Sequence, residues 1–273
     1  MSDPLSGLDD IDWAGLDSWT TEPENIPGRL RALLSESAEE RHEAFLDVAV
    51  DLMDSEEHEV FSATVAALPF LLSLVADAGV PDRGRLLGLL AEIGTVVQPD
   101  WLLEGFDETS HLTPDEESFP VAHCVIPVRD AVELYGRLLE DPDASVRAGA
   151  ALLLGAYRPA SELPGVTAAY RKEVEPVTRA SLLLCLAHYR MGGAELGFEL
   201  ALEGEFRSAP ELPKAAAALA MVLIERNAAP EWARDELVRA GRKKKAKVEG
   251  LFWNAGRLGD YAARVLQHLR ASA

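Results

Sequence analysis

Residues 138–157 read LLEDPDASVRAGAALLLGAY, and this stretch decides the fold class. An Asp-Pro turn at Asp141-Pro142 ends one helical run, because proline cannot continue a helix and the residue before it is pushed towards extended geometry. Val146-Arg147 then opens the next run. Small residues at Ala148, Gly149, Ala150 and Ala151 let a neighbouring backbone approach closely, and three leucines follow. The same grammar returns in EVEPVTRASLLLCLAHY (173–189), where Arg179 stands 32 residues after Arg147. A weaker copy, SAEERHEAFLDVAVDL (37–52), places Arg41 in that position, about three repeats of roughly 35 residues upstream of Arg147. A period of this size is that of stacked helix pairs.

Outward from these units the helical rhythm is nearly continuous. Residues 38–53 set Ala44, Phe45, Val48, Ala49 and Leu52 on one stripe. A helix is expected over 57–76 with a kink at Pro69, and another over 82–97 with Asp82 as N-cap. Further helices are expected over 127–140, 143–156, 164–173, 176–191, 194–204, 210–227, 231–245, 247–255 and 258–270. None of these runs alternates like a surface strand. The composition agrees: 48% of residues are hydrophobic but only 7% aromatic, so Ala and Leu fill the core, and five isoleucines serve the whole chain. Sheets would favour β-branched and aromatic side chains. Residues 98–125 break the rhythm with three prolines and a dense acidic patch, and read as an irregular insertion.

The DPDASVRAGAALLL unit resembles the second helix of a HEAT repeat. Residues 26–97 are more specific: Ile26-Pro27, His58, Ala63-Thr64, Pro69-Phe70-Leu71, Leu86-Leu87 and Leu89-Leu90 resemble the opening of bacterial HEAT-repeat proteins common in actinomycetes. The resemblance implies an all-α, right-handed α-solenoid of antiparallel helix pairs, and a role as a protein-interaction scaffold. The expected organisation is a cap over 1–25, repeats over 26–97, the insertion 98–125, and repeats over 126–273, all in one continuous solenoid. Irregular repeat lengths and the insertion depart from the family pattern.

Charge narrows the function classes. The chain carries a net −20, and residues 1–125 hold 27 acidic against 5 basic side chains while the remainder is nearly balanced. Such a field repels nucleic acid and anionic membranes and draws basic partners, although carboxylates also simply solvate a surface. No run approaches the roughly 18–20 apolar residues of a membrane span, and the acidic N-terminus lacks a secretory layout, so a cytoplasmic monomer is expected.

Motifs for catalysis are missing. No GxSxG, P-loop, GxGxxG or paired-cysteine metal pattern occurs. His58 stands among Glu56, Glu57 and Glu59, but HEVFS lacks the second histidine of a zinc HExxH helix, and the expectation is a helix start. Cys185 and His188 share a helical face within the apolar run LLLCLAH, which reads as packing; His123-Cys124 would be needed to complete a ligand set. No cofactor and no metal are expected. The basic cluster Arg239, Arg242, Lys243, Lys244, Lys245 and Lys247 lacks interleaved aromatics and reads as the closure of a helix C-terminus or a face towards the acidic half.

The expectation is a non-enzymatic interaction module for a basic protein partner, one version being an immunity or antitoxin-like protein that fills the cleft of a nuclease toxin. The alternatives are an enzyme with an unfamiliar site in the solenoid groove, or a regulatory nucleic-acid-associated HEAT protein. The residues expected to meet the partner are Glu108, Asp115, Glu116 and Glu117 in the insertion, with Trp101 and Trp19 as aromatic anchors.

Overall fold

A computed structural model describes residues 3–20, 22–54, 56–96, 98, 100–105, 120–195 and 199–271. Among them the chain is helical almost throughout, which establishes an all-α protein. The helices are α1 (Ile26–Ala32), α2 (Ala38–Leu52), α3 (Ser62–Ala76), α4 (Arg83–Gly94), α5 (Trp101–Glu104), α6 (Val121–Asp130) and α7 (Val132–Leu138). They continue with α8 (Ala144–Tyr157), α9 (Leu163–Lys172), α10 (Pro176–Met191), α11 (Glu199–Ser208), α12 (Glu211–Glu225), α13 (Glu231–Ala240) and α14 (Leu258–Ala271). One hairpin interrupts them, with β1 (Met53–Asp54) antiparallel to β2 (Glu59–Val60).

The described residues form two compact units. One contains residues 3–98 and 120–131, the other residues 100–105 and 132–271. In the first, α3 packs on α2, α4 and α6. In the second, α10 packs between α8 and α12, while α7, α9 and α11 lie against α8, α10 and α12 respectively. The reason lies in the side chains. From Val146 to Tyr157 every residue of α8 except Arg147 is buried, and α10 and α12 are nearly as apolar around their circumference. A helix apolar on all sides is stable only inside a core. Gly155 sets the approach of α8 to α10: a Cβ built there would lie 3.1 Å from the Cα of Cys185 and 2.7 Å from the ring of Trp253.

Polar groups fix the starts of these helices. Ser37 accepts the N–H of Glu40, Asp143 that of Ser145, and Glu175 those of Val177 and Thr178. The three arginines of the sequence grammar then act alike. Arg147 Nη1 donates to the carbonyls of Asp141 and Pro142 at 2.9 and 3.1 Å, bracing the turn before its own helix. Its Nε and Nη2 grip both oxygens of Glu173, 26 residues onward, at 2.8 and 3.1 Å. Arg179 repeats this with the carbonyls of Glu173 and Tyr170 and with Glu205, again 26 residues onward. Arg41 braces the carbonyls of Ser35 and Glu36 and reaches Asp82. Arg234, outside the quoted grammar, braces Asn227 and Ala229 in the same way.

Several expected elements differ. The helix expected from residue 57 starts at Ser62, because Asp54 Oδ1 accepts the N–H groups of Glu56 and Glu57 and turns the chain into a hairpin. His58 sits in that turn with φ +58°, not at a helix start. Asp82 makes no cap; its own φ is +55° and its carboxylate serves Arg41. The helix expected over 127–140 is two, α6 and α7, with Pro127 inside the first. Residues 247–255 hold no α-helix: Asn254 and Ala255 take left-handed backbone angles. The insertion is helical at both described ends, in α5 and from Val121 of α6. No described helix is long and apolar enough to cross a membrane.

Candidate functional site

Trp19, one of the expected contact residues, lies in the first unit. That unit's N-terminal arm is fixed by backbone and side-chain bonds rather than by bulk alone. Trp13 is buried, and its indole N–H donates to the carbonyl of Leu8 at 2.9 Å. Asp17 receives the N–H of Ala63 on its carbonyl, and its own N–H donates to Ser62 Oγ at 2.8 Å. The N–H of Trp19 donates to the carbonyl of Asp51 at 3.1 Å. Asp51 is fully buried and accepts from Thr20 Oγ1 at 2.6 Å and from the Arg29 guanidinium, whose pKa this hydrogen bond raises. A buried carboxylate needs such partners. Together they clamp residues 17–20 between the end of α2 and the start of α3.

Trp19 stands out from that clamp. It is 53% exposed, and its ring lies 6.4 Å from that of Phe61. It is therefore a large exposed aromatic on a fixed backbone, the property expected of an anchor. On α2, Leu46 and Val50 are also half exposed, at 49% and 48%. Each lies two residues from buried Val48, so about 200° around the helix from the core-facing stripe. Glu39, Glu43 and Asp47 are exposed on the same helix. These two aliphatic residues were not among the expected site residues. Their signal was present in the sequence as apolar side chains opposite the apolar stripe.

A cleft of about 410 Å³ opens near the start of the chain. Leu5, Leu8 and Leu34 line it together with the carboxylates of Asp3, Asp9 and Asp10. Arg31 borders it and is paired with Asp9.

The remaining expected residues divide. Glu108, Asp115, Glu116 and Glu117 lie outside the described residues. Trp101 is corrected from surface anchor to core: it is 6% exposed, and its ring packs on His188 at 5.1 Å and on Trp253 at 5.8 Å. The sequence WLLE is apolar enough to bury in the second unit, and the prolines and acids around it hid that.

His188 and Cys185 are both fully buried in this core. Burial, with the nearby charges of Arg158 and Arg226, pulls the imidazole pKa down to about 3, so it is neutral at pH 7. Tyr261 Oη donates to the carbonyl of Leu102 at 2.6 Å and lies 3.2 Å from His188 Nε2. The tyrosine proton is thus committed to Leu102, which makes Nε2 the donating nitrogen, and Nδ1 is buried with no hydrogen-bond partner among the described residues. Burial raises the Cys185 thiol and pushes that of Cys124 up to about 12, so both are protonated at pH 7. Among the described residues no group of three or more His, Cys, Asp or Glu side chains could hold a metal ion.

Part of the basic cluster has structural partners. Arg239 pairs with Glu236 and Glu211, and Lys243 Nζ with Glu211 at 2.7 Å, closing the end of α13 against the start of α12. Arg242, Lys244, Lys245 and Lys247 are exposed on the following turn. Compared with known protein families, with curated proteins and with solved structures, the chain has no match.

Proposed function

We propose that this protein is a non-enzymatic binding module, a right-handed solenoid of HEAT-like helix pairs whose acidic first unit captures a basic protein partner. One observation carries the reading: the few cations of that unit are already used. Arg29 is paired with Asp51 and Asp47, Arg31 with Asp9, Arg41 with Asp82, and Arg129 with Asp130. Arg83 is buried, and Arg85 stacks over the Phe45 ring at 4.2 Å. Over residues 1–125 the 27 acidic side chains far outnumber the 5 basic ones, and their summed field steers a cationic protein while repelling phosphate backbones. A basic toxin is one partner of this kind, and an immunity role is the concrete form of the proposal. The helix pairs around α8, α10 and α12, and the recurring arginine braces, support the HEAT-like part of it.

Affinity purification from the producing cell at low salt, followed by mass spectrometry, tests this. The expected result is a basic protein whose retention falls steeply as salt rises from about 50 to 300 mM, where screening shortens to below 10 Å. Replacing Glu108, Asp115, Glu116 and Glu117 with their amides should slow its capture at low salt by about tenfold. An acidic partner, or a basic one held equally at both salt concentrations, overturns the proposal.

A further inference from the structure

We propose that the solvent face of α2 is the docking site for a cationic amphipathic helix, presented by the basic partner inferred above. This rests on that reading and adds the surface and the shape of what it takes. Three observations place it there. Leu46 and Val50 stand one turn apart, about half exposed, on the side of α2 turned away from buried Ala44, Val48 and Leu52. About half of each of these side chains is left to solvent. Upstream on the same face, Glu39 and Glu43 are exposed one turn apart. Downstream, Trp19 is tied to the carbonyl of Asp51, the residue after Val50.

Along the helix the face therefore runs from the carboxylates of Glu39 and Glu43 to the aliphatic pair Leu46 and Val50. From Glu39 to Val50 it spans about 16 Å, the length of three helical turns. Charge complementarity defines the occupant as a segment with Lys or Arg at one end and aliphatic side chains at i and i+4 at the other. A helix meets this spacing by setting its own i, i+4 ridge beside Leu46 and Val50. An added strand has little to pair with here, since the hairpin has only two residues per strand.

The face is also rigid before binding. Asp51 is locked between Thr20 and Arg29, and Arg41 fixes the first turn of α2 through Ser35, Glu36 and Asp82. A preformed surface loses little conformational freedom when a partner docks.

The test uses the full chain and labelled helical peptides of about 18 residues, read by fluorescence anisotropy. The first peptide carries two leucines at i, i+4 and four lysines. The second has serine for both leucines, and the third has glutamate for the lysines. The expected result is that the first binds best and that Leu46→Ser with Val50→Ser weakens it about tenfold, the effect of removing two partly buried aliphatic contacts. Glu39→Gln with Glu43→Gln should weaken it several-fold at low salt. Glu133→Gln, on α7, should leave it unchanged. Thermal melting checks that the surface variants stay folded, as exposed substitutions should.

Equal binding of the leucine and serine peptides would reduce the contact to charge alone and overturn the docking face. So would unchanged binding by Leu46→Ser with Val50→Ser; if that binding were still salt-sensitive, the acidic-unit reading would stand while this one fell. Failure of the first peptide to bind overturns the face directly. Self-association of the unliganded protein, abolished by the same two serines, would assign the face to a second copy and overturn the foreign helix.

Discussion

Replacing Arg147 by Ala removes four hydrogen bonds at once, two to the carbonyls of Asp141 and Pro142 and two to Glu173. The cost follows from what each acceptor is left with. The carbonyls sit at an exposed turn and regain water, so each loses on the order of 0.5–1 kcal/mol. Glu173 is 8% exposed and cannot regain much, but the N–H groups of Val174 and Glu175 still donate to it at 3.0 and 2.9 Å. It is thus a buried carboxylate stripped of its cation but not of every donor. The loss should fall below the roughly 3–5 kcal/mol of a fully orphaned buried ion. About 2–3 kcal/mol is expected in total. Arg41→Ala removes the same kind of brace, but its acid, Asp82, has a side chain 48% exposed and adds little, so about 1–2 kcal/mol is expected there. Urea unfolding followed by circular dichroism measures the totals. Because the two compact units can open separately, hydrogen exchange read peptide by peptide should localise the Arg147 effect to α8, α9 and α10. A double-mutant cycle with Glu173→Gln should give a coupling of about 1–2 kcal/mol. If Arg147→Ala costs less than about 1 kcal/mol, or no more than Arg41→Ala, then burial of the acceptor does not set the strength of these braces.

Three further predictions concern Glu173 and two glycines. Burial pushes the Glu173 carboxyl up, but Arg147 and the backbone N–H groups of Glu175 and Val174 outweigh it and leave its pKa below the usual value. Its contribution is therefore complete above the unfolded-state pKa of about 4.3 and lost as pH falls through the lowered folded value, so acid unfolding should be steeper in the wild type than in Glu173→Gln. Gly155→Ala should cost about 1–3 kcal/mol and change Trp253 fluorescence, because its Cβ would meet the indole at 2.7 Å. Gly28→Ala in α1, with nothing within 4 Å of the added carbon, should instead stabilise by about 0.5–1 kcal/mol in the same melting assay.

The sequence resolved α8 and α10 well because their starts and their interiors agree: a proline or acid cap, then an uninterrupted apolar run too long for a strand. It failed where one local signal competed with another. Glu56, Glu57 and Glu59 are good helix formers, yet Asp54 captures two of the backbone N–H groups first, and the chain turns. Pro127 looked like the start of a helix but lies within α6, where the break comes four residues later. Asp82 followed Pro81 in cap position, but its carboxylate is used 41 residues back along the chain by Arg41. The arginine grammar was readable as a repeat, while its acids were not. Glu173 and Glu205 are ordinary glutamates in sequence, and only the packing of successive helix pairs brings them to Arg147 and Arg179.

The candidate site was less legible for a related reason. Exposure belongs to the assembled unit, and a tryptophan in a proline-rich stretch looks the same whether it lies on a surface or in a core. Trp19 and Trp101 were read alike, yet the first projects from a clamped turn and the second joins His188 and Trp253. The discriminating feature was the neighbourhood: Trp101 is followed by Leu102 and Leu103, both buried with it, whereas Trp19 is flanked by Ser18 and Thr20. The same reasoning favours Leu46 and Val50 as functional. Helix α2 already has a buried apolar stripe in Ala44, Val48 and Leu52, and these two aliphatic residues stand opposite it about half exposed. In the docking proposed for α2, this second apolar pair is the contact, and the carboxylates beside it set the partner's charge.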